Sequence, residues 1–379
     1  IRAGCYQNRR GFPSERELVE EFGVSRAIIR KAIEALAAQG LVIRSPRCRT
    51  MVRSMAEAKP TTTEPRRRSL GLWIWPSPTF PGASAMVQGI CRGLDHGTYR
   101  LVIGNFARGS LAAILHSEAQ FLEQMTADRD IAGILLWYYG GPHNLPALQK
   151  VRAANIPMVF LDRRAPEGFE ADYVGVDNER AAEQIVKHLL ALGHRRIAHI
   201  TSMDWACTVA ERRAGYRRAL EAAGIPFDPN LVVMATGESP AEERAAHAAL
   251  VERLLSLPDP PTAVFAVNDV IADYFMSALR ARGLRIPEDM SVVGFDGLER
   301  WMSAEPFLTS AYQPFERLGE LAVKLLLQRI ESGSTGAYQH LLLEAPLHIH
   351  GSTQALRRTG KPHATVAESV RSKDNHAHI

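Results

Sequence analysis

Asp172–Thr201 reads DYVGVDNERAAEQIVKHLLALGHRRIAHIT. A short apolar run, Tyr173–Val176, stops at Asp177. A longer amphipathic stretch follows, Glu179–Leu192, and after Gly193 a second apolar run begins, Ile197–Thr201. Strand, helix, strand in this order makes a unit of parallel sheet with a right-handed crossover. The alternation recurs across residues 69–351, with candidate strands at Leu70–Trp75, Leu101–Gly104, Gly133–Trp137, Met158–Leu161, Ala263–Val267 and Ser291–Phe295. Helical patterns lie between them at Ala210–Ala223, Ala241–Ser256 and Val270–Arg282. These are more strands than one small open sheet holds, so the spacing predicts two similar α/β lobes, each a parallel sheet flanked by helices.

The regions outside this body read differently. Residues 54–68, SMAEAKPTTTEPRRR, are rich in Pro, Thr and charge and are expected to be a linker. Residues 352–379 lack periodicity and are expected to be a disordered tail. The net charge is +4, but residues 1–68 hold 15 Lys/Arg against 7 Asp/Glu while the remainder holds 30 against 34. A basic head on a mildly acidic body points to a polyanionic partner at one end only. The four cysteines, Cys5, Cys48, Cys91 and Cys207, form no CxxC pair, so neither a zinc site nor any other metal centre is expected, and their sparseness suits a reducing cytoplasm. No apolar run approaches the ~20 residues of a membrane span, and no signal peptide opens the chain. The first residue is Ile1 rather than Met, as expected of a piece of a longer chain.

Residues 1–53 are basic and helical in pattern. Ser14 with Glu17 forms a capping box that starts a helix, and Leu18, Val19 and Phe22 supply its apolar face. Gly23-Val24 makes a turn, and Ser25 caps a second helix, Arg26 to about Ala38, with Ile29, Ala32, Ile33 and Leu36 directed inward. Arg26, Arg30 and Lys31 then occupy its exposed leading half. Two short helices on a tight glycine turn, with arginines at the head of the second, suit insertion into a DNA major groove, where a guanidinium fork meets guanine O6 and N7 or a phosphate. A helical hairpin contacting another protein has the same pattern. Leu41–Ile43 and Thr50–Val52 pair as a hairpin, the wing, around Arg44–Arg49.

The run PSERELVEEFGVSRAIIRKAIEALAAQGLVIRS closely resembles the GntR family of winged helix-turn-helix regulators. The resemblance implies a small α+β DNA-binding domain over residues 1–53, incomplete at its N-terminus because the family's first helix would precede Ile1. It places Arg16, Ser25, Arg26, Ala27 and Arg30 at DNA-contacting positions. Ala27 departs from the usual hydroxyl residue, and Arg47 and Arg49 stand where the family has wing glycines, adding positive charge.

In the body, several strands end in polar residues: Asp162-Arg163, Asn268-Asp269 and Asp296. Ligands of open α/β sheets bind beyond such carboxyl ends. Asp accepts from vicinal hydroxyls, Arg and Asn complement it, and Phe80, Trp137, Tyr138, Trp205 and Phe295 offer faces for a sugar ring. A lone strand-end Asp also serves as a helix cap. The segments IPMVFLDRR, ERRAGYRRALEAAGI, TAVFAVNDVIA, MSVVGFDGLER and LTSAYQPFERLGELAVKLLLQRI, together with the opening stretch, resemble the LacI/GalR effector domain, which is periplasmic-binding-protein-like. The resemblance implies effector contacts at Ser77, Thr79, Phe80, Tyr138, Asp162, Arg163, Arg212, Asn268, Phe295, Asp296 and Gln313, with Arg212 three residues before Gly215. It also implies lobe crossings near residues 177, 307 and 335. Lobe 1 then spans about 69–176 and 308–335, and lobe 2 about 177–307 and 336–351.

The fusion of these two parts resembles the arabinose-responsive regulators. The expected protein is a cytoplasmic transcription regulator, a repressor, that binds a double-stranded operator as a homodimer and releases it when a sugar effector closes the lobes. It needs no cofactor and no membrane. A sugar-binding transport or chemoreceptor-type protein is the alternative, and a purine or phosphosugar effector stays open. No GxSxG, P-loop or HExxH occurs, so an enzyme is not expected; His188, His194 and His199 read as structural, and His376 with His378 as a weak metal motif.

Overall fold

The computed structural model describes residues 13–38, 42–43, 51–52, 68–74, 80–104, 110–202, 206–237, 239–333 and 336–356. It divides at Arg66/Arg67 into two compact units.

In the first unit, α1 (Glu15–Phe22) opens on Ser14. The Ser14 hydroxyl accepts from the Glu17 N–H, and the Glu17 carboxylate accepts from the Ser14 N–H, satisfying two donors that a helix start leaves orphaned. Gly23 closes α1 at φ 64, a left-handed conformation that glycine takes without strain. α2 (Arg26–Ala38) follows, then β1 (Val42–Ile43) pairs antiparallel with β2 (Met51–Val52) as the base of the wing. Leu18, Ile29, Ile33 and Val42 form the core, with Val19, Val24 and Leu36 against it. Phe22 and Ala32, expected inside, are exposed.

The second unit begins with β3 (Arg68–Trp73), one residue before the expected start of the body at 69. In chain order come α3 (Pro81–Gly93), β4 (Tyr99–Ile103), α4 (Leu111–Ala127), β5 (Ile131–Leu136), α5 (Leu145–Ala153), β6 (Met158–Leu161), β7 (Asp172–Val176), α6 (Asn178–Ala191), β8 (Ile197–Thr201) and α7 (Cys207–Ala222). After these lie β9 (Val232–Met234), α8 (Pro240–Leu255), β10 (Ala263–Ala266), α9 (Asp269–Ala281), β11 (Ser291–Asp296), β12 (Thr309–Tyr312), α10 (Phe315–Glu331), β13 (His340–Leu343) and β14 (Leu347–His348).

They build two six-stranded sheets. The first has the order β13-β7-β6-β5-β3-β4 and is parallel throughout; the second has the order β14-β12-β11-β10-β8-β9, parallel except for β14. The central strands are buried on both faces, which is why they read as continuous apolar runs rather than as alternation.

The chain crosses between the sheets three times, and two crossings differ from expectation. The first is at Asp177, between β7 and α6. β12 pairs with β11, so it belongs to the second lobe and the crossing falls at residues 313–314 rather than near 307. β13 pairs with β7, so it belongs to the first lobe and the last crossing falls at residues 344–346 rather than near 335. α10 returns to the first lobe because it packs backbone-close on α3. A Cβ on Gly89 would lie 1.9 Å from the Glu316 carbonyl oxygen, and one on Gly319 would lie 2.1 Å from that of Met86.

The expected tail is tied down over its first residues. The fully buried Ser352 hydroxyl donates to the Val292 carbonyl (2.6 Å), and Leu356 N–H donates to the Leu192 carbonyl (2.8 Å). Residues 357–379 lie outside the described residues.

Candidate functional site

The carboxyl ends of the two sheets converge on the crossings. In the second lobe, β11 ends at Asp296 with φ 112, and in the first lobe Asp162 follows β6 with φ 61. Such backbones cost about 1–3 kcal/mol outside glycine and persist where surrounding structure dictates them. Asp296 is 4% exposed, and Arg212 from α7 pairs with it at 3.5 Å. The Gln313 amide, in the second crossing, donates to Asp296 Oδ1 (2.7 Å). Burial pushes the Asp296 carboxyl up to about 6, while Arg212 and Gln313 hold it down from going further. Arg212 is itself fixed on every side. Its Nε donates to Asn178 Oδ1 (2.9 Å), another nitrogen donates to the Val267 carbonyl (2.7 Å), and its guanidinium lies 3.6 Å over the Phe295 ring.

Below this pair, Asp269 is buried too, accepting from the Ser310 hydroxyl and the Leu298 N–H (both 2.6 Å). Burial first, and the nearby Asp296 second, push its carboxyl up to about 8. Two adjacent acids in one dry place cannot both ionise freely.

The first lobe supplies an aromatic wall. Phe80, at the head of α3, stacks on Trp137 (5.4 Å, 26°), and Trp137 Nε1 donates to Asp162 Oδ2 (2.8 Å). Arg163 lies 3.8 Å over the Tyr139 ring and donates to its hydroxyl (3.1 Å). Tyr138 does not join them. Residues following β5 point alternately to opposite sides, so Trp137 and Tyr139 reach the site while Tyr138 packs against Phe160 in the outer core and donates to the Gly141 carbonyl. This corrects the expectation for Tyr138 and adds Tyr139, which the alternation would have found.

The loop is held by Glu118 of α4, which accepts from the Tyr139 N–H (2.6 Å) and the Asn144 amide (2.8 Å). Burial pushes the Glu118 carboxyl up to about 7.

Phe295 also differs from expectation. Phe295 is fully buried beneath Arg212, so it serves as a platform for that guanidinium and offers no face to a ligand. The Asn268 side chain caps α9, accepting from Ile271 N–H (2.9 Å). Ser77, Thr79 and Trp205 lie outside the described residues. Two oxygens at the site carry a chemical instruction. Among the described residues, Asp162 Oδ1 and Gln313 Oε1 are buried acceptors without a hydrogen-bond partner. Buried polar atoms are nearly always satisfied, so these two await donors.

Among the described residues no group of His, Cys, Asp and Glu is arranged to hold a metal, and no helix is long and apolar enough to cross a membrane. His194 bridges Thr262 and the Gln354 carbonyl, and His199 stacks between Tyr216 and Phe265.

On the head, Ser25, Arg26, Ala27, Arg30 and Lys31 are exposed along one end of α2. Glu15 accepts from Arg30 (3.3 and 3.4 Å) and lies 3.9 Å from Arg26, while Arg16 pairs with Glu20. Arg47 and Arg49 fall outside the described residues.

Residues 1–52 match bacterial regulatory proteins of the gntR family, and residues 186–353 match the periplasmic binding protein-like domain. The HTH-type transcriptional repressor CytR of Escherichia coli is 33% identical over 286 residues, 75% of this chain and 79% of CytR. The chain belongs to the LacI family of transcriptional regulators. The HTH-type transcriptional repressor PurR of Vibrio atlanticus is 35% identical over 209 residues, 55% of this chain and 60% of PurR. Among solved structures, a LacI family regulator from Enterococcus faecium with bound ribose superposes with TM-score 0.63 at 26% identity, covering 76% of this chain and all of that one. The regulator CelR in complex with cellobiose gives 0.64 at 27% identity, covering 90% of this chain and all of CelR. This regulator thus joins a GntR-type head to a two-lobed effector body, the fusion expected from the sequence, and its relatives are transcription regulators.

Proposed function

We propose that this regulator is a sequence-specific repressor that binds its operator through α2 and the wing, as a homodimer, and releases it when a sugar occupies the cleft between the lobes. One observation carries the choice of ligand. The site presents buried acceptors, Asp162 Oδ1 and Gln313 Oε1, beside a carboxylate–guanidinium pair and an aromatic wall. A polyol ring supplies vicinal O–H donors for the acceptors, hydroxyl oxygens for the guanidinium, and an apolar face for the rings. A phosphate would meet Asp162 and Asp296 as like charges. The ribose and cellobiose bound by the two structural relatives support the same chemistry. Exposed apolar residues at the outer edges of both sheets, Ile103 on β4 and Met234 on β9, support self-association.

A thermal-shift screen against pentoses, hexoses, sugar phosphates and purines tests the ligand class. A sugar at about 100 times its dissociation constant should stabilise the body by about 2.7 kcal/mol. A shift with a phosphosugar or purine alone would replace the sugar reading.

The head is tested on DNA selected by the protein from a random pool. Arg26→Ala should weaken that complex by about 5- to 150-fold, the ~1–3 kcal/mol of one guanidinium–base contact, and leave the thermal shift intact. Unchanged affinity would remove α2 from the recognition role.

A further inference from the structure

The effector side chains of the second lobe are wired to the first lobe through two residues that the sequence reading passed over. Glu211 stands on α7 beside Arg212, and Asn178 is the first residue of α6, immediately after the first crossing. The Asn178 amide uses both ends: Oδ1 accepts from Arg212 Nε (2.9 Å), and Nδ2 donates to Glu211 Oε2 (2.9 Å). The other oxygen of Glu211 accepts from Arg164 Nε (2.9 Å), and Arg164 follows β6 in the first lobe. The Arg164 backbone N–H also donates to the Cys207 thiol of α7 (3.3 Å).

We propose that Asn178 and Glu211 are positioning residues that hold Arg212 for the effector and tie it to Arg164, so that the Arg164–Glu211 pair is a latch between the lobes whose engagement follows the placement of Arg212. An amide group is planar, and its oxygen and nitrogen cannot move independently. A displacement of Arg212 therefore reorients the donor that Glu211 receives and shifts the carboxylate that Arg164 grips. Among the described residues, the groups facing Glu211 are Arg164, Asn178, the Cys207 thiol, the Tyr173 hydroxyl and, at longer range, the Asp162 carboxylate. Asn178 is 1% exposed, and the Arg164 and Glu211 side chains are 40% and 19% exposed, so the inner link is dry and the outer one is reached by water. That gradient suits a contact that opens at its outer end while its inner end stays ordered.

The role of Arg212 rests on the effector reading above, but the test is made without ligand, so the two can fail separately. Cys207 lies under the Arg164 backbone and reports the opening. Its thiol is pushed up to about 11, chiefly by burial. The full chain is treated with iodoacetamide at pH 8, and alkylation of Cys207 is followed by peptide mass spectrometry, with Cys91 on α3 as the internal standard. Arg164→Ala should speed Cys207 alkylation by about fivefold or more through local opening. It should do so even though removing a cation disfavours the thiolate. Asn178→Asp sets a carboxylate against Glu211 and should act in the same direction. Exchanging the charges, Arg164→Glu with Glu211→Arg, should return the rate to within about twofold of the parent once it is divided by the Cys207 thiolate fraction measured from each variant's pH–rate profile, because Glu211 itself raises that thiol. An unchanged rate in Arg164→Ala overturns the latch. A rise there without one in Asn178→Asp overturns the link to Arg212, and a parallel rise at Cys91 that the charge exchange does not reverse overturns both.

Discussion

Arg329→Met should destabilise the effector body by about 3–5 kcal/mol, the range for breaking a buried ion pair by removing one partner. Arg329 and Asp172 are 6% and 1% exposed at their side chains and meet through two parallel contacts of 2.7 and 2.8 Å. The same guanidinium donates to the Gly336 and Ala337 carbonyls (3.0 and 2.9 Å), and Asp172 also accepts from Gln339 N–H (2.8 Å). One pair thus fastens α10 to β7 and to the segment that leads into β13. Methionine fills much of the volume but leaves a carboxylate in an apolar place with a single backbone donor. Thermal and urea unfolding of the full chain would read the loss, on the order of 10 °C in Tm for a domain of this size. The double variant Arg329→Met with Asp172→Leu should recover much of it, because the uncompensated charge is gone. A loss below about 1 kcal/mol in the single variant would mean that water reaches the pair as it does at a surface.

Arg212→Ala should abolish effector binding, with an affinity loss of at least about 100-fold. Hydrogen bonds to a charged group contribute about 1.5–3 kcal/mol each, and the guanidinium organises more than its own contact. Without it Asp296 keeps the Gln313 hydrogen bond and the weaker pull of Arg300, and loses the stronger of the two cations that hold its carboxyl near 6. Its carboxyl then shifts further up, which favours the protonated form and weakens it as an acceptor for a sugar hydroxyl. Phe295 is left with an uncovered face. Calorimetric titration with the sugar found by the thermal-shift screen measures the loss, and operator binding should be retained because the head is a separate compact unit. Binding weakened by less than about tenfold would place the sugar away from Arg212.

Local chemistry made several features legible in the chain alone. Ser14 and Glu17 fold back on one another within four residues, and Gly23 takes the left-handed conformation that the turn requires, so the first helix of the head was readable at both ends. Ile197–Thr201 and Met158–Leu161 stand as strands at the boundaries expected, because a strand buried on both faces is written as an unbroken apolar run. Asp162, Arg163 and Asp296 follow such runs directly, so their place at the strand ends followed from the chain.

What the sequence could not decide depends on contacts between distant residues. β12 and β13 are short strands on either side of α10, and their lobes are set by pairing with β11 and β7 and by the glycine contact of α10 with α3. Pairing energy is gained only when the partner strand is present, and no periodicity within four residues names that partner. The side chains of Tyr138 and Tyr139 are told apart by which of two neighbouring cores each enters, a choice fixed by Phe160 on one side and Arg163 on the other. Asn178 and Glu211 carry no motif, and their chemistry exists only because α6, α7 and the end of β6 meet. By itself, the sequence determined the helices of the head, the parallel α/β body and the polar strand ends, since each is encoded by neighbours along the chain. The tertiary structure alone decided the lobe crossings, the face of the aromatic wall and the connection between the lobes, since burial and ion pairing act between residues that only folding brings together.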